Sequence, residues 1–222
     1  LDGHLRMCGE LGLELAVHAI GDGAVRMVLD AYEQAGGPAR RARLRIEHCE
    51  LISEKDVGRF ARLGVTCSVQ PCHLLADVPV LMREFGGKGS DGGRTLARVL
   101  PLRELLDSGL EAGRTLIFGS DAPIVRPNPE DSVLAAVWRG TRGQDRTRVT
   151  ESAGSDTPAA IGPEQAITEA EAWACFGTGG GSIERGGPAS RESVRPHDAG
   201  RGAPTNRGDV RLSISAEAKP DA

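Results

Sequence analysis

The sequence predicts an α/β fold in which short buried strands alternate with amphipathic helices. Three observations carry that prediction. Apolar runs of five or six residues, rich in β-branched side chains, recur at 13–18, 43–47, 65–69 and 114–118, the length and composition of strands in a parallel sheet. Between them lie stretches with apolar residues at helical spacing, such as Val25, Val28, Leu29 and Tyr32. Three of the runs also end on a residue able to ligate a metal: LELAVHAIGD delivers His18, LRIEHCE delivers His48 and TLIFGSDAPI delivers Asp121.

The elements follow in order. A helix is expected at about 2–11 and a strand at 13–18, then a second helix from Ala24 to Gln34 that Asp22 is placed to cap. Strand 43–47 precedes a helix opened by Ser53, with Asp56 three residues on in a variant of the capping box. Strand 65–69 runs into a loop, QPCHLLADVP (70–79), and the Gly-rich FGGKGSDGG (85–93) reads as a loop, with a mobile lid as the alternative. A helix at 99–108 and a strand at 114–118 come next. Asn128 and Pro129 then occupy the N-cap and first-turn positions of another helix. Each of the four strands is followed by a helix or a long loop, and a parallel barrel needs eight such units in about 250 residues. The fold class expected is therefore a partial, TIM-like barrel.

Residues 1–140 form that part. Residues 141–182 read as a polar linker and a terminal helix at roughly 163–175, opened by Pro163. Residues 183–222 read as a low-complexity, disordered tail, since no aromatic residue occurs beyond Gly177 and Gly, Pro, Arg and Ser dominate. The chain opens on Leu1 inside an apparent helix, so a piece of a longer protein is expected. A net charge of −4 and a pI near 5.8 leave no basic stripe for nucleic acid or a membrane surface. No apolar run reaches the roughly 18–20 residues that span a bilayer. Five cysteines without a CxxC pair point to a reduced, cytoplasmic setting.

In a parallel barrel, residues just past the carboxyl ends of the strands face one shared mouth. His18 and His48 stand 30 residues apart, about one β/α unit, which puts them on neighbouring strands about 4.8 Å apart. With Asp121 they form a set suited to a divalent ion, Zn²⁺ above all. Each has a plainer reading: a hydrogen-bonded histidine at a strand end, or a turn aspartate before Ala122-Pro123. Gln70, Pro71 and His73 follow the third strand and face the same mouth; Gln70 and His73 are expected as substrate contacts. Cys49 and Cys72 are soft ligands in principle and, more commonly, small core residues. Gly21-x-Gly23 falls short of a dinucleotide fingerprint because Arg26 stands at the third glycine position.

The set HAIGD (18–22), IEHCE (46–50), SVQPCHLLAD (68–77) and FGSDAPI (118–124) resembles the amidohydrolase superfamily, in its amidohydrolase 3 branch. GSIERG (181–186) is similar to the family's turn back to a small β-sandwich. The resemblance implies that the four strands are strands five to eight of a (β/α)8 barrel. It implies His18 and His48 as metal ligands, and Asp121 as ligand and proton shuttle, around one or two divalent ions. The family's His-x-His pair and bridging residue, often a carboxylated lysine, would lie upstream, and no His-x-His occurs in this chain. Past Gly186 the family continues with an apolar strand, whereas this chain runs GPASRESVRPHDAGRGAP, the mark of a frameshift or a decayed terminus. The implied activity is hydrolysis of a C–N bond in a small non-peptide amide by metal-activated water, with Asp121 as general base and then general acid. Two alternatives stand beside it. One is a catalytically incomplete half-barrel, inactive alone, whose exposed sheet edges favour pairing into a homo-oligomer; the other is a metal-dependent deaminase using the same three residues.

Overall fold

A computed structural model describes residues 1–86, 89–140, 160–177 and 211–215, the side chains of 89–91 and 211–215 excepted. Helix α1 (Asp2–Leu11) leads to strand β1 (Glu14–Ala19), α2 (Asp22–Gln34), β2 (Arg43–His48), α3 (Glu54–Leu63) and β3 (Thr66–Val69). After them come α4 (Leu74–Phe85), α5 (Gly89–Ala97), α6 (Leu102–Asp107), β4 (Leu116–Phe118), α7 (Pro129–Trp138), α8 (Glu169–Ala174) and β5 (Arg211–Ser215). The strands form one parallel sheet in the order β4-β3-β2-β1-β5. From β1 to β4, successive strands are immediate neighbours and each crossover carries helix, the winding of repeated β/α units.

Sequence fixes the helix ends locally. Gly12 and Gly64 close α1 and α3 in the left-handed region, at φ 68° each, where a Cβ would be strained. The amide of Val65 then bonds back to the Phe60 carbonyl at 2.9 Å. Asn128 caps α7 by accepting from the Glu130 amide at 3.3 Å. Strand residues alternate between two faces. Leu15, Val17, Leu44, Ile46, Cys67, Val69 and Leu116 are 0–2% exposed and pack with Val25, Val28, Leu29 and Phe60 of the helices. The opposite face carries Glu14, His18, Arg45, Glu47 and Ser68, and this polar face bears the site. Among the described residues no helix is long and apolar enough to cross a membrane.

Several elements differ from their sequence-based expectation. Ser53 makes no side-chain cap on α3; Asp56 instead binds Arg26 and Arg59, each at 2.9 Å. These two cations outbid the Ser53 amide for its carboxylate. Segment 70–79 is a 3₁₀ turn (Pro71–His73) and the first half of α4, which admits Pro79 at its sixth position, and much of the Gly-rich stretch is helical as α5. Residues 87–88 of that stretch lie outside the described residues, as do 141–159 of the linker. The terminal helix divides into a 3₁₀ turn (Pro163–Gln165) and α8, because Thr168 and Glu171 close a full capping box there. In the segment expected to be disordered, Arg211–Ser215 is strand β5 beside β1; RLSIS alternates apolar and polar residues, a strand pattern that the bulk composition of the tail conceals. The rest of that tail, including the break after Gly186, lies outside the described residues.

Candidate metal centre

The polar face of the sheet is organised by register. His18 pairs with Glu47, Glu47 with Ser68, and Ser68 with Ile117, so one row crosses β1 to β4 near their carboxyl ends. That row walls a cavity of about 540 Å³, together with Arg45, His48, Gln70 and Asp121. His48 enters it by a backbone device. Alternation would put His48 on the helix side with Leu44 and Ile46, but its φ of 73° and that of Cys49, 50°, turn the chain. The His48 ring thereby meets His18 edge-on, with centroids 4.2 Å apart. His48 is 7% exposed. Burial, then the neighbouring His18 and His73, hold its pKa below the usual histidine range against the opposing pull of Asp121 and Glu47. It is therefore a neutral nitrogen donor at neutral pH.

Asp121 enters from the turn after β4, at φ 58°, with its carbonyl accepting from the Ile124 amide at 2.9 Å. Its side chain is exposed at the cavity rim. Gln70, 6% exposed, lines the same cavity, and its Oε1 is buried with no partner. An orphaned amide oxygen in a cavity wall is an unmet demand for a donor. Arg45 lies beneath, its Nε 2.7 Å from Glu47 and a guanidinium nitrogen 3.6 Å from Glu14.

The structure thus brings His18, His48, Gln70 and Asp121 to one cavity. His73 is not among its walls: its ring is 6.2 Å from that of His48, and its Nε2 is 3.2 Å from the Ser120 carbonyl. Cys49 and Cys72 are buried thiols in the core, and burial pushes both pKa values up. The donor set of two imidazoles and a carboxylate fits a divalent ion. The ligand atoms of His18, His48 and Asp121 do not, however, all lie within 4.8 Å of one another. Among the described residues the trio that meets that distance is Glu50, His73 and Asp77. Burial first, and then the Asp77 charge, raise the Glu50 carboxyl above its ordinary range. Sequence reasoning passed over Glu50 and Asp77. The usable signal was the i, i+4 spacing of His73 and Asp77, which aligns side chains only if segment 70–79 is helical.

Comparison with known proteins bears on the same residues. The chain is 37% identical over 130 residues to the protein LONG AFTER FAR-RED 3 of Arabidopsis thaliana, covering 58% of this chain and 21% of that one. It is 31% identical over 136 residues to the Bacillus subtilis protein named as the amidohydrolase YtcJ (61% and 23%). It is 27% identical over 188 residues to an N-substituted formamide deformylase of Arthrobacter pascens (80% and 30%). Among solved structures it resembles an uncharacterized metal-dependent hydrolase from Pyrococcus horikoshii OT3, with TM-score 0.56 and 27% identity over 79% of this chain and 31% of that one. The chain therefore spans less than a third of the length of the relatives it matches. The family profile itself matches residues 2–190, a span that holds both histidines and the aspartate. This protein belongs to the amidohydrolase family.

Proposed function

We propose that this chain contributes the His18, His48 and Asp121 portion of a metal-dependent hydrolase that cleaves C–N bonds in small non-peptide amides. The observation that carries the reading is the edge-on meeting of the two imidazoles at 4.2 Å on a cavity that Asp121 also lines. His18 and His48 would hold a divalent ion, Zn²⁺ being the best match to a nitrogen-rich set. When bound, that ion supplies Lewis-acid activation of water and of the substrate carbonyl. The residues do the remainder. Asp121 takes a proton from the attacking water and passes it to the amine nitrogen as the C–N bond breaks, leaving a carboxylic acid, which loses its remaining proton to solvent, and a free amine. Gln70 offers its unpartnered amide oxygen to a substrate N–H, orienting the scissile group. The similarity to a formamide deformylase favours an acyl group as small as formyl. That the matched segment covers less than a third of each relative favours a second statement, that turnover needs further barrel units and the chain alone is inactive. The five unpaired thiols favour a reducing, cytoplasmic compartment.

The test is made on this chain completed with further barrel units. Formate and amine should appear together from an N-substituted formamide, and Asp121→Asn should abolish that turnover while bound metal, measured by plasma emission, stays near the parent level. Ammonia release from an aminated heterocycle instead would favour the deaminase reading. Near-normal turnover in Asp121→Asn would end the proton-shuttle assignment.

A further inference from the structure

A second group of metal-capable side chains lies beside the first and shares no residue with it. Glu50 follows the left-handed turn at His48 and Cys49, while His73 and Asp77 occupy the start of α4, one helical turn apart. One ligand atom from each falls within 4.8 Å of the other two. Among the described residues neither carboxylate is hydrogen-bonded or ion-paired to an arginine or lysine. That contrasts with Glu33, Asp56, Glu104, Asp131 and Glu171, each of which binds arginine. The imidazole supplies a separate indication. His73 Nε2 stands 3.2 Å from the Ser120 carbonyl, and a carbonyl can only accept, so Nε2 is the donor of that contact and Nδ1 is the nitrogen left for a ligand. A ring nitrogen donating to a backbone carbonyl is the arrangement that orients a metal-ligating histidine and strengthens its other nitrogen as a donor. Two carboxylates that face an oriented imidazole and have no organic cation make a facial set of one nitrogen and two oxygens.

We propose that Glu50, His73 and Asp77 hold a divalent cation of the Mn²⁺ or Zn²⁺ class, at a site distinct from His18, His48 and Asp121. The ion supplies the positive charge that the two carboxylates otherwise lack. Through the Ser120 carbonyl it also ties the start of α4 to the turn carrying Asp121, so loading this site steadies one wall of the cavity.

The full 222-residue chain, titrated with Mn²⁺ and followed by the electron paramagnetic resonance of free Mn²⁺, tests this. The expected result is one bound equivalent that weakens at least tenfold in Asp77→Asn and in Glu50→Gln and persists in His18→Ala. Because an altered fold would also weaken binding, ring-proton spectra of the parent chain provide a second reading. Mn²⁺ should broaden the His73 signals before those of any other histidine. Binding that survives both carboxamide variants, binding lost in His18→Ala, or no Mn²⁺ bound at millimolar concentration would each overturn the proposal.

Discussion

Arg139 is 1% exposed; among the described residues it forms no salt bridge, and the Glu164 charge only partly offsets its burial. Its Nε donates to the Ile161 and Gly162 carbonyls at 3.2 and 3.3 Å, and Nη2 donates to that of Val99. It thereby ties the end of α7 to two distant loops, and replacing it with Met, of similar length, sets two large effects against each other. Burial lowers the guanidinium pKa from 12.5 to about 10, an ionisation cost of about 3 kcal/mol that Met removes. Met also strips a charged donor from three buried carbonyls, at roughly 1.5–3 kcal/mol each. The second effect is larger, so Arg139→Met should lose roughly 1.5–6 kcal/mol. At a slope of roughly 2 kcal/mol per molar, the urea midpoint should fall by about 1–3 M. Met leaves the left-handed backbone at φ 59° as strained as before, so strain does not enter. The fluorescence of Trp138, the neighbouring residue, reports the transition. The loss should be constant from pH 5 to 9. A base with a lowered folded pKa carries its full penalty below that value, and the penalty fades only as pH rises from about 10 towards 12.5. A Met variant as stable as the parent would refute this reasoning, because desolvation of the charge would then outweigh its hydrogen bonds.

Gly9 of α1 has no room for a side chain: a Cβ there would lie 1.8 Å from the Pro38 carbonyl oxygen. Gly9→Ala should cost about 1–3 kcal/mol by forcing α1 off the 37–41 turn. Gly3→Ala, in the same helix with nothing within 4 Å, should gain up to about 1 kcal/mol, and equal effects in thermal unfolding would contradict the packing described. All five cysteines are buried, and burial pushes the Cys175 thiol up to about 12. A disulfide reagent should therefore label almost none in the native chain and five after denaturation; a rapidly reacting native thiol would show that the core opens there. Burial raises the Glu171 pKa, but the Thr168 amide and hydroxyl and the Arg103 guanidinium outweigh it and hold the carboxyl below 4.5. Its stabilisation is present above about pH 4.5 and is lost as pH falls through the lower folded value. Urea midpoints should drop in acid for the parent and less steeply for Glu171→Gln.

Strands β1 to β4 were legible because each is a short apolar run between turn signals, and their order in the sheet follows the order in sequence. What escaped reading did so for physical reasons. Pro79 and the glycines at 89, 92 and 93 are strong breakers, yet α4 and α5 form around them, since burial of Leu74 and Val78 in α4 and packing of Leu96 of α5 against the core outweigh propensities of about 1–3 kcal/mol per residue. Asp56 has the spacing of a capping box, but spacing does not reveal that Arg26, 30 residues earlier, competes for the same carboxylate. Strand β5 was hidden by averaging: five alternating residues vanish inside a Gly- and Pro-rich tail.

The site shows the same division more sharply. Period-two alternation, applied strictly, assigns His18 to the polar face and His48 to the helix side, beside Leu44 and Ile46. The His48 ring meets that of His18 only because residues 48 and 49 both adopt positive φ, a conformation costing of order 1 kcal/mol or more at each non-glycine residue. Nothing in IEHCE announces that cost, which the surrounding structure must offset. It does so through bonds made by the same turn. The Cys49 amide bonds to the Ala19 carbonyl, the Leu51 amide to Ile20 and the Leu100 amide to Glu50, at 2.7–3.0 Å. One strained corner thus swings His48 towards His18 and, two residues later, presents Glu50 to His73 and Asp77. The two candidate cation sites share that hinge, so Cys49→Val, a β-branched side chain that resists positive φ, would disturb both together.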